Sequence, residues 1–490
     1  MGTRRHTTFY INGGWRDRSD RPMHSVVNPA TEEEVARIPL GNASDIEDAV
    51  AAARAALESW AALPVAERAN YLRALADAYE RRAEELAQSI TAEMGAPIAL
   101  SRAAQVPSGL KQLREFAQEI TRLETEYAYR PEQPTDRIIR EPIGVCGLIT
   151  PWNWPMNQVC LKVPAALAVG CTVVLKPSEN APLSSLLFAE LVDEAGIPPG
   201  VFNLVNGDGP GAGAALASHS DVDMISFTGS CRAGAAIGQA AAPTFKRVAL
   251  ELGGKSPNLI FADTGVEAAV RRGARSVFVN TGQSCDAPTR MLVERSVYER
   301  AVAAAAAMAE EMTVGDPAVD GPHLGPLASR RQFDVVQSYI QSGIREGARV
   351  VAGGPGRPRG VTRGWFVRPT VFADVRPEMT IYREEIFGPV LSILPFADEE
   401  EAIRLANDTV YGLSAYVQSD DPDRCRRVAR RLRAGVVRLN GASRGPGCPF
   451  GGYKHSGSGR EGGRFGLEEF LEVKAVSGWP AGREQKEHQP

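Results

Sequence analysis

From about residue 142 the chain alternates short apolar runs with helical stretches, and no other feature limits its fold so closely. Ile143 to Ile149 reads as a strand, and the helical stretch after it closes at Gly170. Cys171 to Leu175, Val201 to Val205, Met224 to Phe227 and Val248 to Leu252 follow as strands. Between them lie a helix over Ser184 to Ala195 and a small-residue helix through Leu216. Strands this short, separated by helices, need right-handed crossovers and predict a parallel, doubly wound sheet. Such sheets bind ligands beyond the carboxyl ends of their strands, so the loops after these runs are where chemistry is expected. After residue 255 a second α/β pattern begins and lasts to about residue 455. At 490 residues the chain exceeds what one core serves, and two or three domains are expected.

The first hundred residues read as mostly helical. Ser44 and Glu47 form a capping box before Ile46, Ala49, Val50, Ala53, Leu57 and Trp60, and a second helix runs from Pro64 to Gly95. Thr125 to Ile139, rich in Tyr, Pro and charge, reads as an extended hairpin, and the tail from Gly482 as a frayed end. The net charge of -4 and the lack of a basic stripe argue against a nucleic-acid partner. No apolar run approaches the roughly 18 residues that span a bilayer, so no membrane association is expected. Met1 to Tyr10 is too polar and short for a signal peptide, and His6 stands where lipidation of Gly2 wants Ser or Thr. Seven scattered cysteines, with no Cys-x-x-Cys pair, point to a reducing cytoplasm, and six isolated histidines offer no metal site.

Cys146, Cys160 and Cys171 lie in apolar runs and read as core, whereas Cys285 has polar neighbours in Asn280-Thr281-Gly282-Gln283-Ser284-Cys285. Gly282 permits a tight turn that presents the thiol. Glu251, framed by leucines at the end of an apolar run, is poorly solvated, which raises its pKa toward the range of a base; the ordinary alternative is a surface glutamate at a strand end. Asn153, between rigid prolines and aromatics in Pro151-Trp152-Asn153-Trp154-Pro155, can donate to a developing oxyanion or simply form a turn. Gly207-Asp208-Gly209-Pro210-Gly211-Ala212 approximates a dinucleotide fingerprint. Phe227-Thr228-Gly229-Ser230, with Gly234 opening the next helix, is an equally good seat for a pyrophosphate. The full Gly-x-x-x-x-Gly-Lys-Ser/Thr phosphate loop is absent.

Together with Lys176-Pro177-Ser178-Glu179, Leu250-Glu251-Leu252-Gly253-Gly254-Lys255, Glu384-Glu385-Ile386-Phe387-Gly388-Pro389 and Pro449-Phe450-Gly451-Gly452, these motifs resemble the aldehyde dehydrogenase superfamily from about Ile11 to Val476. The resemblance implies an α/β fold of two doubly wound parallel-sheet domains, a Rossmann-like cofactor domain and a catalytic domain, plus a small β element for oligomerisation. Their expected extents are 1–123 with 142–253, 254–455, and 124–141 with 456–490. Cys285 would be the nucleophile and Glu251 the base, Asn153 and the Cys285 N–H would hold the oxyanion, and Lys162 with Glu461 would relay protons. Lys176 and Glu179 would hold the adenosine ribose, Ser230 and the Gly229/Gly234 turn the pyrophosphate, and Glu385 and Phe387 the nicotinamide end. Further cofactor contacts would come from Thr150, Pro151, Trp152, Ser178, Gly209, Phe227, Thr228, Leu252 and Gly253.

The implied reaction oxidises an aldehyde to an acid through a thioester hydrolysed by Glu251-activated water. The implied cofactor is NAD, because the Glu179 carboxylate repels a 2′-phosphate. NADP use stays open, because Cys231-Arg232 replaces the family's Thr-Glu. The implied assembly is a homodimer or homotetramer. Relatives that pass the thioester to coenzyme A lack the base at position 251, and a catalytically idle binding protein would not need Cys285, Glu251 and Asn153 intact. Trp154, Asp286, Arg444 and Phe450 would line the substrate site. Arg444 stands where many relatives place an aromatic; it either contacts a polar or carboxylate-bearing aldehyde, pairs with Asp286, or is a solvated rim residue.

Overall fold

A computed structural model describes residues 6–480 of the chain. The expectations for Gly2 and for the tail from Gly482 fall outside those residues. The first forty positions hold four strands rather than helix: β1 (Thr8–Ile11), β2 (Gly14–Asp17), β3 (Met23–Asn28) and β4 (Glu33–Pro39). The first helix, Ala43–Ala61, is capped two residues earlier than the sequence suggested. Asn42 accepts from Ser44 and Asp45, and the Asp45 carboxylate answers the Asn42 N–H at 3.0 Å. The predicted Pro64–Gly95 helix is two helices, Val65–Arg81 and Ala83–Met94, broken at Arg82; left-handed Gly95 ends the second.

The expected hairpin is present as β5 (Glu126–Arg130) and β6 (Gln133–Pro142). The alternating region then delivers β7 (Val145–Ile149), β8 (Thr172–Lys176), β9 (Phe202–Leu204), β10 (Met224–Thr228) and β11 (Arg247–Glu251). These five run parallel in the order β11-β10-β7-β8-β9, with β1 and β2 antiparallel beyond β9. The crossover helices include Pro155–Val169, which starts on a proline and stops at left-handed Gly170, and Leu183–Glu194. Two hydrophobic clusters, one including Leu148, Leu175 and Phe188 and the other Ile149, Val174 and Ile225, cover the sheet, as a parallel sheet requires.

The second pattern gives β12 (Pro257–Ile260), β13 (Arg290–Glu294), β14 (Arg349–Ala352), β15 (Thr370–Ala373), β16 (Val390–Phe396), β17 (Ser414–Gln418) and β18 (Val436–Leu439). They form a seven-stranded sheet, parallel except for β14, with its own two clusters. The chain then returns: β19 (Gly457–Ser458) pairs with β11, and β20 (Leu471–Val476) pairs with β6 to complete a three-stranded ribbon with β5.

Candidate active site

Ile149, Lys176, Thr228 and Glu251 end four neighbouring parallel strands, so the loops that follow them share one rim. Lys176 is buried with its ammonium 3.4 Å from Glu179, and Ser178 is buried beside them. Burial lowers the Lys176 pKa while Glu179 opposes that shift. Thr150 is buried beyond β7, and Trp152 meets Phe387 edge-on at 5.5 Å between ring centres. The buried Thr228 hydroxyl has no hydrogen-bond partner among the described residues. Ser230 caps the Cys231–Ala241 helix, and a Cβ on Gly234 would lie 2.8 Å from Leu252. This is a cradle into which backbone and a helix start point, as a pyrophosphate requires. The Gly207–Ala212 segment leads into a short wide-turned helix, Gly209–Gly213, capped by Asp208, which accepts from the Gly211 N–H at 2.7 Å.

From the other side Glu385 reaches the same rim and accepts the Gly254 N–H at 3.0 Å. A Cβ on Gly253 would collide with the Glu385 carboxylate. Burial raises the Glu385 pKa to about 7, against the Gly254 N–H and Lys255. Gly254 also lets the nucleophile loop come close, since a Cβ there would be 2.5 Å from the Cys285 carbonyl.

That loop is strained. Asn280, Thr281 and Gly282 hold φ values of 55°, 56° and 72°, a conformation that costs Thr in particular. Side chains fix it. Asn280 donates to the Asn153 and Gln283 carbonyls at 2.9 and 3.2 Å, Gln105 donates to the Asn153 carbonyl at 3.1 Å and to Asn280 Oδ1 at 3.2 Å, and Thr281 donates to Gly325 at 3.0 Å. The Asn153 amide donates to the Gln283 carbonyl at 3.0 Å and the Trp154 indole to Ser284 at 2.9 Å, so both tryptophan and amide lie against the loop that ends on Cys285. Cys285 is half-exposed. Burial of the thiol, and after it Asp286, Glu385, Glu251 and Glu461, pushes its pKa well up.

Glu251 is 4% exposed and neither carboxylate oxygen has a hydrogen-bond partner among the described residues. Burial first, then Glu461, raises its pKa well above the carboxylate range. Lys162 pairs with Glu461 and donates to Ser226 at 3.0 Å. Glu461 exchanges both backbone hydrogen bonds with Phe450, at 2.7 Å each, and a Cβ on Gly451 would stand 2.8 Å from Glu251 Oε1. Phe450, Glu461 and Glu251 are thereby one neighbourhood. Arg444 stacks on Phe450 with its guanidinium 5.0 Å from the ring centre, and its buried Nη1 has no hydrogen-bond partner among the described residues. The Arg444–Asp286 pair considered from sequence is not formed, because Arg438 takes Asp286 at 2.9 Å.

Sequence reasoning gave no role to Gln105, Asn280, Gln283 or Arg438. Asn280 and Gln283 stood inside the quoted cysteine motif; Gln105 and Arg438 carry no local signal. Among the described residues no group of His, Cys, Asp and Glu could hold a metal ion, and no helix is long and apolar enough to cross a membrane.

A cleft that sets a thiol, a buried carboxylate and an amide donor beside a dinucleotide cradle belongs to enzymes that attack a carbonyl with sulfur and hand its electrons to a nicotinamide. Within that class the chain is a member of the aldehyde dehydrogenase family, whose sequence model matches residues 15–476. It is 51% identical over 477 residues to a 3-succinoylsemialdehyde-pyridine dehydrogenase of a Pseudomonas species, covering 97% of this chain and 99% of that one. Among solved structures, an aldehyde dehydrogenase of Bartonella henselae superposes with a TM-score of 0.95 at 51% identity, covering 96% of this chain and 99% of the other. A Pseudomonas syringae enzyme in complex with NAD+ and octanal gives 0.96 at 51% identity, with 98% of each chain covered.

Proposed function

We propose that this chain oxidises an aldehyde bearing a polar or anionic far end to its acid, with NAD as acceptor. The observation that carries the hydrolytic half is Glu251: a buried carboxylate with both oxygens unengaged, on the strand that leads into the Gly253–Gly254 turn under Cys285. The Cys285 sulfur bonds the aldehyde carbon, and the Asn153 amide and the Cys285 N–H are the donors offered to the oxygen that becomes negative. Bound NAD supplies the hydride acceptor. Lys176, Glu179, Ser230, Glu385 and Phe387 hold and orient it, and the pK-raised Glu251 takes a proton from the water that opens the thioester. A coenzyme A-acylating enzyme has no use for that base, and an idle binding protein has no use for either group.

The far end is set by Arg444. A plain alkyl chain leaves its buried Nη1 unsatisfied, whereas a carboxylate or keto oxygen satisfies it. The related Pseudomonas enzyme carries the name of a semialdehyde, and the Pseudomonas syringae structure holds octanal, so the two choices can be compared directly. Semialdehyde acids and keto-aldehydes are expected to exceed octanal in kcat/KM by roughly tenfold or more, with Arg444→Ala erasing the difference. Equal turnover of both classes by wild type removes this role. Glu179 favours NAD over NADP, with exposed Arg232 as the counterweight, and the ratio of their kcat/KM values measures the balance.

The division into 1–123 with 142–253, 254–455, and 124–141 with 456–490 remains our reading of the architecture, although β19 joins the first sheet. The β5–β6–β20 ribbon, with Tyr129 and Val473 exposed, supports assembly into a homodimer or tetramer. Seven unpaired cysteines favour a cytoplasmic setting.

A further inference from the structure

Glu251 takes a proton at every turnover and must lose it again, yet it is buried. Behind it lies a small cavity lined by Glu251, Glu461, Glu469, Ser226, Arg460 and apolar residues including Phe470. Its volume is about 10 Å³, close to what one buried water needs, and its polar walls offer the partners such a water requires. Neither Cys285 nor any residue assigned to the cofactor lines it.

Two carboxylates besides Glu251 face this space, and they are not equivalent. Glu461 is 7% exposed and already engaged, with the Lys162 ammonium on its carboxylate and both backbone bonds made to Phe450. Glu469 is half-buried, so it touches both the cavity and the outside. Its Oε1 accepts the Arg460 N–H at 2.8 Å, and a Cβ on Gly459 would lie 3.3 Å from it. Arg247 is spent elsewhere: its Nη1 holds the Glu469 and Leu471 carbonyls at 2.9 and 2.7 Å, and its Nη2 pairs with Glu472 at 2.8 Å. Among the described residues no cation closes an ion pair on the Glu469 carboxylate. Burial raises its pKa, with Arg247 and Arg460 opposing and Glu461 adding to the rise.

We infer that Glu469 is the outlet through which the proton collected by Glu251 reaches solvent. As the thioester hydrolyses, a water O–H bond breaks while its oxygen bonds the carbonyl carbon, and Glu251 becomes a neutral acid. The proton crosses the cavity through one water to Glu469, and leaves from its exposed edge to bulk water or buffer. No electron moves in this sequence. Glu461, with Lys162 on its carboxylate, flanks this path, in keeping with the relay expected of that pair. Glu469 touches neither aldehyde nor cofactor and acts only through Glu251, on whose proposed role as base the inference rests.

The test follows proton release with an indicator dye beside NADH absorbance, in stopped flow, for the full-length enzyme and its Glu469→Gln and Glu469→Asp variants. In weak buffer Glu469→Gln should show a normal NADH burst followed by proton release and turnover slowed roughly tenfold, the scale of one proton carrier. A small buffer such as imidazole should restore it, and Glu469→Asp should sit near wild type. A wild-type rate in Glu469→Gln, or a loss that no buffer restores, overturns the outlet. The base is tested separately: if Glu251→Gln still hydrolyses its thioester at the normal rate, the reading of Glu251 fails, whatever Glu469 does.

Discussion

Cys285 and Glu251 meet in one cleft with the same difficulty, since burial and neighbouring carboxylates hold protons on both. Both are needed in their ionised forms, so activity should climb with pH well past the ordinary carboxylate range and level off only once the thiol has ionised. Glu251→Gln should keep its NADH burst and lose roughly 10²- to 10⁴-fold in steady-state turnover, with the acid limb of the kcat profile displaced. A burst lost together with turnover would instead place Glu251 in the first half-reaction. Asn153→Ala removes an oxyanion donor and should cost roughly 10²- to 10³-fold in kcat; circular dichroism checks that the loop, which leans on the Asn153 carbonyl, survives. Glu385 offers a cleaner pH signature. Its folded pKa of about 7 lies above its unfolded value, so its contribution to stability is full below the unfolded pKa and is lost as pH rises through 7. The difference in Tm between wild type and Glu385→Gln should therefore change across that window, and a flat difference from pH 4 to 8 would contradict the assignment.

The turn Asn280–Thr281–Gly282 is the element on which the nucleophile depends. Gly282→Ala places a methyl against the Gly388 carbonyl at φ 72°, and should cost more than the roughly 1–2 kcal/mol of a left-handed alanine. Gly209→Ala, whose Cβ meets nothing within 4 Å, should stay within about 0.5 kcal/mol. Thermal unfolding of the two variants decides. This turn also marks where sequence reasoning reached its end. Cys285, Glu251 and Asn153 were legible because each sits in a short run whose glycines, leucines or prolines announce its surroundings. Gln105 was not, for its partner Asn280 is 175 positions away. Arg438 was missed for a similar reason, since it reaches Asp286 across 152 positions. The parallel strands were legible because burial on both faces makes them uniformly apolar. β3 and β4 were not, because their pairing in a two-stranded sheet leaves charged stretches such as Glu33–Glu34 exposed, which helix periodicity reads equally well.

At the scale of the whole molecule, β6 ties the chain's middle to its end through β20, and the ribbon shows Tyr129 and Val473 to the outside. If it carries the assembly, a Tyr129→Asp/Val473→Asp double variant should shift the mass seen by light scattering toward the monomer at micromolar concentration, and an unchanged mass would move the interface elsewhere. The two α/β halves meet at the cofactor rim, where Glu385 accepts the N–H of Gly254, the residue at which the chain passes from the first half into the second. A carboxylate assigned to a ribose is thus already occupied by the protein's own backbone. Cofactor binding becomes an exchange of partners rather than the filling of an empty place. The apparent Kd is then the intrinsic one divided by the fraction of molecules in which Glu385 has let go. A saturating cofactor would break that bond and take its place, so the crossing point of the chain changes partners at every turnover.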